Sequence, residues 1–254
     1  MTGAVVINLA VVEACEEGIV NAWPAVDTLL MDGWIVRFAY GYSGRANSAS
    51  PLLRNTSLSE QTLAEIERLY ALAGLPPRLR LTPLAHSAVT AMIEARGYRQ
   101  QDASVGMIAS LEAFNGAIPE ELEIAQTAGP VWVRGVSSLQ EGSKKDADDG
   151  LQAIVSRVRL QAGFATLRVQ GDIAGYGMSV VDRGMAEIGS IVIDPRYRGK
   201  GHGRSLVRGL LDWAQASGAR NAFLQVEYRN AVAMGLYRSL GFAEAYPYRT
   251  MVKD

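Results

Sequence analysis

The stretch Arg198-Gly199-Lys200-Gly201-His202-Gly203-Arg204 lies between an apolar run, residues 188–193, and an apolar-periodic segment, residues 205–216. This order predicts a strand, a glycine loop and a helix. Glycine allows close backbone approach, so successive amide N–H groups and the positive end of the helix can converge on an anion. The loop therefore predicts a pyrophosphate site, to which three basic side chains add charge: Arg198, Lys200 and Arg204. Its spacing matches neither the nucleoside-triphosphate loop nor the dinucleotide G-x-G-x-x-G.

A second segment follows the strand-like run 222–228. It contains Asn230, Ala233, Leu236-Tyr237 and Gly241-Phe242. The two segments together resemble the GNAT superfamily of acyl-CoA-dependent N-acetyltransferases, whose loop reads Arg/Gln-x-x-Gly-x-Gly/Ala. They lie about thirty residues apart with a predicted helix and strand between them, which is the context that the family motif requires. The resemblance implies acetyl-CoA as co-substrate.

Composition narrows the functional classes. The chain has 254 residues, of which 48% are hydrophobic and 20% charged, as is ordinary for a well-cored globular protein. A net charge of −1 argues against a broad nucleic-acid surface. The single cysteine, Cys15, excludes an intrachain disulfide and suits a reducing compartment. Two scattered histidines predict no metal site.

The apolar run 4–12 is too short for a bilayer span, which needs roughly 20 apolar residues, and it lacks a preceding basic region. We expect it to form a strand. We also expect a cytoplasmic protein without a membrane partner.

The C-terminal half parses into a helix at 144–160, strands at 164–169, 173–181 and 185–193, a helix ending near residue 217, a strand at 223–228, a helix at 230–240 and last strands at 242–251. An antiparallel meander followed by β-α-β-α-β is the order of the GNAT fold.

The first half repeats this order. A gapless shift of 144 residues aligns Pro51 with Pro195, Arg54 with Arg198, Gly74 with Gly218, and Gly97-Tyr98 with Gly241-Phe242. The chemistry is lost under the same shift: the loop glycines become Asn55, Ser57 and Ser59, while Asn230 becomes His86 and Tyr237 becomes Ile93. Residues 21–48, which include Arg45-Ala-Asn-Ser48, also resemble the N-terminal half of some two-domain GNAT proteins.

We therefore predict an α+β protein of two tandem GNAT-like domains, each a mixed, mostly antiparallel sheet flanked by helices. The degenerate first domain is expected at 1–115, a linker at 116–130 and the catalytic domain at 131–254. We expect the second domain to bind acyl-CoA and the first domain not to bind it.

N-acetyl transfer needs three groups. An alkyl ammonium has a pKa of about 10, so a base helps the amine to lose its proton. Protonation helps the thiolate of CoA to leave, and the tetrahedral oxyanion needs a hydrogen-bond donor. In the GNAT family these groups are typically a carboxylate on the central strand, a Tyr on the later helix and a backbone N–H at a splay in that strand.

Glu187 is the strand carboxylate here, on one face with Met185 and Gly189. Apolar neighbours could raise its pKa. It could instead be an ordinary strand Glu or fix substrate without taking a proton. In some relatives the base lies five residues before the Asn, which is Gln225 here and cannot accept a proton. Glu227, on the same face as Gln225, is the second candidate.

Tyr237 is the candidate acid, with a core aromatic as the alternative because Leu236 and Leu240 flank it. Asn230 is expected to cap its helix and, by the resemblance, to contact pantetheine. The resemblance also implies that strand backbone groups bind pantetheine and that loop amides bind pyrophosphate. These residues are Ile191, Val192, Ile193, Arg198, Gly199, Lys200, Gly201, His202, Gly203 and Arg204.

Cys15 lies far from these motifs, which favours direct transfer in a ternary complex over an acyl-cysteine. Two rivals remain: an acyl-CoA sensor without turnover, and a nucleotide-binding enzyme of another fold. The acceptor, a small-molecule or peptide amine, and the oligomeric state stay open.

Overall fold

The computed structural model describes residues 7–114, 116–140 and 147–253. Within them eleven strands form one sheet in the order β1-β2-β3-β4-β11-β5-β10-β9-β8-β7-β6. The strands are β1 (Asp27–Met31), β2 (Trp34–Phe38), β3 (Ala49–Pro51), β4 (Arg78–Leu81), β5 (Arg99–Ser110), β6 (Leu122–Ala125), β7 (Gln161–Val169), β8 (Asp172–Asp182), β9 (Met185–Ile193), β10 (Asn221–Glu227) and β11 (Ala243–Val252). The helices are α1 (Leu9–Ala22), α2 (Glu60–Leu72), α3 (Ala88–Ala95), α4 (Pro130–Leu139), α5 (Ala147–Val155), α6 (His202–Ala216) and α7 (Ala231–Ser239).

The second half follows the sequence pattern closely. The predicted turns after β7 and β8 contain Gln170-Gly171 and Arg183-Gly184, whose positive φ angles are 53° and 89°, and 47° and 79°. Such pairs match the twist of the flanking strands in two-residue hairpins. Helix α6 ends where Gly218 takes a φ of 93°, the left-handed stop that glycine supplies.

Three segments differ from the sequence-based expectation. Positions 4–6 of the predicted N-terminal strand lie outside the described residues, but from Leu9 the chain is helix α1, so a strand there is wrong. The Oδ1 of Asn8 accepts hydrogen bonds from the amides of Ala10 and Val11, and the buried Val12, Cys15 and Ile19 follow helical spacing. A short apolar run cannot by itself separate helix from strand.

The other two differences concern extent. Residues 116–130 contain β6, which pairs with β7 from Leu122↔Leu167 to Ala125↔Phe164 and forms the sheet edge. The predicted helix at 144–160 is α5, which ends at Val155, five residues earlier than expected; positions 144–146 lie outside the described residues.

Residues that the 144-residue shift aligns at turns and helix ends have similar backbone conformations in the two halves. Gly74 and Gly97 end α2 and α3 at φ values of 66° and 93°, and their counterparts after α6 and α7 have 93° and 88°. Asn55, the counterpart of Gly199, also has a positive φ, 59° against 73°. The two halves therefore retain common turns although their side chains have diverged.

The two halves exchange their last strands. Strand β11 pairs with both β4 and β5, and β5 pairs with both β11 and β10. Under the shift of 144, β4 corresponds to β10 and β5 to β11, so each half places its last strand beside the other half. One continuous sheet results, although the sequence predicts a sheet for each domain.

A hydrophobic cluster packs where the two halves meet in the sheet. It comprises Val12, Cys15, Ile19, Leu84, Phe223, Tyr246 and Tyr248, drawn from both halves. A larger cluster packs α6 and α7 against the second half of the sheet. Among the described residues, no helix has the length and apolarity that crossing a membrane requires.

Candidate active site

Strands β9 and β10 diverge beside the predicted catalytic residues. They pair in parallel only over Asn221↔Met185, Ala222↔Ala186 and Phe223↔Glu187. Beyond Glu187, β9 keeps its partner on the β8 side up to Gly175↔Ile193, and β10 keeps β5. The facing edges after Glu187 and Phe223 therefore have no registered strand partner in the described chain, and an extended group could enter as an added strand does.

A β-bulge lies in the same part of β9. The register with β8 shifts between Tyr176↔Val192 and Met178↔Gly189, and Ser190 has a φ of 53°. A bulge bends the strand and turns its backbone groups away from the ladder, and bulges are enriched beside active sites. This geometry suits the backbone donor that an oxyanion needs.

Glu187 is 1% exposed, on β9 just before the bulge. Its carboxylate lies over Gly189, where a Cβ would meet Oε1 at 2.7 Å, so glycine leaves it room. Oε1 accepts a hydrogen bond from Arg45 Nη1 at 3.3 Å, whereas Oε2 is buried without a partner in the described structure. Burial raises the pKa of Glu187 to about 7, against the lowering effect of Arg45. The carboxylate can therefore exchange a proton near neutral pH.

Tyr237 on α7 is 9% exposed and packs edge-on against Phe242 at 5.9 Å. Its pKa is raised to about 12, chiefly by burial and also by the negative charge of Glu187, against the lowering effect of Arg45. Because the charges of Glu187 and Arg45 act on it, the three side chains lie in one electrostatic neighbourhood. Tyr237 also belongs to the core cluster, as the alternative of a core aromatic predicts. Its role as the acid stays a prediction.

The glycine loop begins α6. Gly201 is the N-cap at a φ of 86°, Gly199 has 73°, and a Cβ built on either meets nothing within 4 Å. Among the described residues, the amides from Gly199 to Gly203 donate to no backbone carbonyl. Open space beside unsatisfied amides at a helix N-terminus is what an anion needs.

The basic side chains frame this loop. Arg198 Nε donates to Ile193 O, Lys200 Nζ to Arg196 O, each at 3.0 Å, and Arg204 Nη1 to Ser239 O at 3.2 Å. His202 packs edge-on against Tyr197 at 5.9 Å. These side chains give the rim of the loop its positive charge.

Asn230 caps α7 as predicted: its Oδ1 accepts from Ala233 N at 3.1 Å. Ile191, Val192 and Ile193 are half-buried on the free edge of β9. The start of α6 lies beside this edge, because a Cβ built on Gly203 would meet Ile193 Cγ1 at 3.7 Å and Leu236 Cδ2 at 3.6 Å. Glu227 is set apart: its carboxylate is 38% exposed and pairs with Arg229.

Several residues near the site have no role that the sequence predicts. Arg45 was noted only within a segment of family resemblance. Glu16, Arg80, Gln225 and Tyr246 form a buried network in which Arg80 Nη1 donates to Glu16 Oε2 at 3.0 Å. Gln225 Nε2 and Tyr246 Oη donate to Glu16 Oε1 at 2.8 and 2.7 Å. A Glu in the apolar stripe of α1 was the available signal, because such a group is buried only with a partner.

Comparisons with known proteins agree with this geometry. An uncharacterized N-acetyltransferase, YobR of Bacillus subtilis, is 25% identical over 238 residues, covering 91% of this chain and 94% of that protein. The N-alpha-acetyltransferase RimI of Mycobacterium tuberculosis is 40% identical over 83 residues, 31% of this chain and 51% of that protein. A GCN5-related N-acetyltransferase from Kribbella flavida superposes with a TM-score of 0.71 at 12% identity, covering 96% of this chain and 95% of that one.

A tandem GNAT protein from the clavulanic acid biosynthesis pathway also shares the fold, with a TM-score of 0.58, 14% identity, and coverage of 76% of this chain and 68% of that one. The fold and the relatives define an acetyltransferase of the GNAT superfamily, which confirms the resemblance read from the motifs. Within it the chain belongs to the family described as "Probable histone acetyltransferase Rv0428c C-terminal", which matches residues 10–251.

Proposed function

We propose that this chain transfers the acetyl group of acetyl-CoA to a primary amine by direct attack in a ternary complex. One observation carries the proposal: a buried carboxylate with a pKa of about 7, Glu187, shares its electrostatic surroundings with Tyr237 where two strands separate. A group that titrates near neutral pH can accept a proton from an ammonium and be regenerated under the same conditions.

The steps follow from these positions. The ammonium gives its proton to Glu187 Oε2, the oxygen that has no partner in the described chain. The amine lone pair forms a bond to the thioester carbon, and the carbonyl oxygen becomes an oxyanion that a backbone N–H near the bulge stabilises. The carbon–sulfur bond then breaks, and the thiolate takes the phenolic proton of Tyr237. The nitrogen of the new amide gives its second proton to the resulting phenolate, and Glu187 releases its proton to solvent, so that both residues are restored and one proton is released per turnover.

Acetyl-CoA is placed by the loop and the strand edge. Its pyrophosphate binds the amides of residues 199–203, which donate to no backbone carbonyl in the described chain, and the basic side chains around them, which neutralise its charge. Its pantetheine arm pairs with the backbone of Ile191, Val192 and Ile193 and contacts Asn230. The open space beside Gly199 and Gly201 supports this placement.

The first half is proposed to complete the acceptor side without binding acyl-CoA. The helix that corresponds to α6 is α2, and Ser59 caps it by accepting from Thr62 N at 3.0 Å. Trp34 Nε1 donates to Ser57 O at 2.8 Å in the same loop. These groups are satisfied within the protein. We retain the proposed division into 1–115 and 131–254, with Arg45 as a contribution of the first half to the site.

The test is the release of free CoA from acetyl-CoA against a panel of primary amines, with mass spectrometry of the products. Glu187→Gln and Glu227→Gln are measured side by side. Transfer that falls at neutral pH and partly recovers at high pH only in Glu187→Gln identifies the base. The same behaviour only in Glu227→Gln would move the base to β10. Acetyl-CoA binding without transfer to any amine would favour a sensor.

A further inference from the structure

The loop at residues 39–47 of the first half reaches the candidate active site of the second half. It carries Arg45, whose Nη1 donates to the carboxylate of Glu187. Ser43, Gly44 and Arg45 also line a cavity of about 290 Å³. The Arg45 side chain is 27% exposed, so water is available to its guanidinium as an alternative to the carboxylate. A long side chain with that freedom stays on one partner only if its loop is held in place.

Asn47 closes this loop from the inside, and it is only 1% exposed. Its Oδ1 accepts from the amides of Ala39 and Gly41 at 2.7 and 2.9 Å. Its Nδ2 donates to the carbonyls of Ser43 and Ala39 at 2.8 and 3.3 Å. One side chain thus pairs four backbone groups spread over the loop. Because buried backbone groups that lose their partners cost free energy, the conformation of the loop depends on Asn47.

Arg37 fixes the backbone of Arg45 itself. It is 2% exposed, and its Nη1 and Nη2 donate to the carbonyls of Arg45 and Trp23. Trp23 supports the same arginine from below, because its ring lies under the Arg45 guanidinium and its Nε1 donates to Ser43 Oγ at 2.8 Å. The backbone of Arg45 and the surface on which its side chain rests are therefore tied to the same loop.

The loop is also docked on the second half. Tyr42 Oη donates at 2.7 Å to Oε1 of Gln140, the residue that caps the end of α4. Gly150 in α5 leaves room for the tyrosine, since a Cβ there would meet Tyr42 Cβ at 2.5 Å. Arg45 therefore lies between Tyr42, held by the second half, and Asn47, held within the loop.

In the part of the chain that the structure describes, Arg45 is the cation whose charge acts on the carboxylate of Glu187. The residues beside Glu187 in the sheet, Val180 on β8 and Phe223 on β10, are apolar. Tyr237 on α7 is a neutral phenol near pH 7, because its pKa is about 12. Helix α6 packs on the opposite face of the strand.

Helices α1 and α4 also pack against β9. Their titratable and charged groups are paired, neutral or exposed: Glu13 pairs with Arg54, Glu16 with Arg80 and Glu17 with Arg183, burial raises the pKa of the Cys15 thiol to about 12, and Arg134 is exposed. The position of Arg45 therefore decides how much positive charge the carboxylate of Glu187 meets.

We propose that Asn47 is a positioning residue that holds Arg45 on the carboxylate of Glu187, so that the loop of the first half sets the charge around the base of the second. This rests on the proposed function and deepens it. Asn47 acts only through Arg45 and takes no part in the proton transfers.

The experiment follows the carboxylate carbon of Glu187 by NMR, in the full chain carrying isotopically labelled glutamate. Its resonance is the one missing from Glu187→Gln. We expect a wild-type midpoint near pH 7, and a higher one in Arg45→Met because the nearby positive charge is lost. Asn47→Ala should raise the midpoint in the same direction and by no more. The double variant should titrate like Arg45→Met alone, since Asn47 then has no guanidinium left to position.

Thr62→Val is the matched control. Thr62 is also a buried polar residue of the first half, and its Oγ1 donates to Asp32 Oδ2. This variant should lose stability in urea and keep the wild-type midpoint. A midpoint that stays in place in Asn47→Ala, or shifts that add in the double variant, would overturn the inference. Should Asn47→Ala fail to fold, Ser43→Ala removes the acceptor of Trp23 Nε1 from the same loop. It should raise the midpoint by a smaller amount, and an unmoved midpoint there would equally overturn the inference.

The NMR titration needs no turnover, so it separates this inference from the proposed function. The expected midpoints in a chain that transfers acetyl to no amine would leave the positioning of Arg45 standing and overturn the proposed function. In an active chain, a kcat/KM profile that does not follow the NMR midpoints would support the positioning of Arg45 and move the base away from Glu187.

Discussion

Arg45 Nη1 lies 3.3 Å from Glu187 Oε1 although 142 residues separate the two along the chain. The arginine is held in turn: its guanidinium lies over the Trp23 ring at 5.0 Å, and its carbonyl accepts from Arg37 Nη1 at 3.0 Å. The half of the chain without a recognisable acyl-CoA motif thus holds the carboxylate that we propose as the base of the other half. The proposed active site therefore includes residues of both halves.

The pH dependence of kcat/KM should reveal the effect of Arg45 on Glu187. Because Glu187 must be ionised to accept a proton, we expect kcat/KM to rise with pH through a midpoint near 7. Arg45 lowers the pKa of Glu187, so Arg45→Met should move the midpoint to higher pH and reduce the rate at pH 7. Arg45→Lys should return the midpoint toward the wild-type value.

Arg54→Met is the control for this measurement, because Arg54 is a half-exposed arginine of the same half that pairs with Glu13. Its profile should match that of the wild-type protein. A midpoint that does not move in Arg45→Met would show that the pair does not set the ionisation of the base.

Tyr237→Phe should lower kcat on the order of 10²-fold with little change in the KM for acetyl-CoA. The phenol is protonated across the working range, because burial raises its pKa to about 12, and it can donate to the leaving thiolate. Steady-state kinetics with acetyl-CoA and an amine provide the measurement. Tyr228→Phe, at a tyrosine 42% exposed, is the control. Full kcat in Tyr237→Phe at every pH would leave Tyr237 as a packing residue.

The burial of Glu187 should also change how the free energy of unfolding depends on pH. Its pKa is raised from 4.5 to about 7 in the folded protein, so the folded state binds the extra proton and stability is lost as pH rises between these values. Glu187→Gln removes this loss. Relative to the wild-type protein, we expect the variant to gain stability between pH 4.5 and pH 8, by at most about 3 kcal/mol at 1.4 kcal/mol per pKa unit.

Urea unfolding at the two pH values measures this difference. Glu123→Gln, at a carboxylate 61% exposed, controls for loss of charge on the surface and should give the same offset at both. A Glu187→Gln offset that is equally independent of pH would mean that the folded protein does not shift the titration of Glu187.

Local signals in the sequence were sufficient for the elements from β7 to β11, although they did not reveal β6 or α4. Gly171, Gly184 and Gly218 fix their turns through backbone conformation, and Asn230 fixes a helix start through one hydrogen bond. These are interactions between near neighbours, so spacing along the chain reveals them. The same holds for the loop that begins α6.

The acceptor side could not be predicted in this way. The pair Arg45–Glu187 and the contact of Gln225 with Glu16 join residues 142 and 209 positions apart. They depend on the insertion of β5 between β11 and β10, which no periodicity within one half specifies. The start of α1 was misread for a related reason: its buried face is defined by partners such as Phe223, far along the chain.

We expect one acetyl-CoA to bind per chain, on the loop that begins α6. Titration calorimetry of the full chain measures this stoichiometry, and two variants impose the same backbone strain at opposite ends of one helix. Gly201 and Gly218 have φ values of 86° and 93°, and a Cβ on either meets nothing within 4 Å. We predict one equivalent bound by the wild-type protein and by Gly218→Val, and binding largely lost in Gly201→Val with the fold retained by circular dichroism. Two equivalents, or equal affinity in the two variants, would show that acetyl-CoA does not bind singly at this loop.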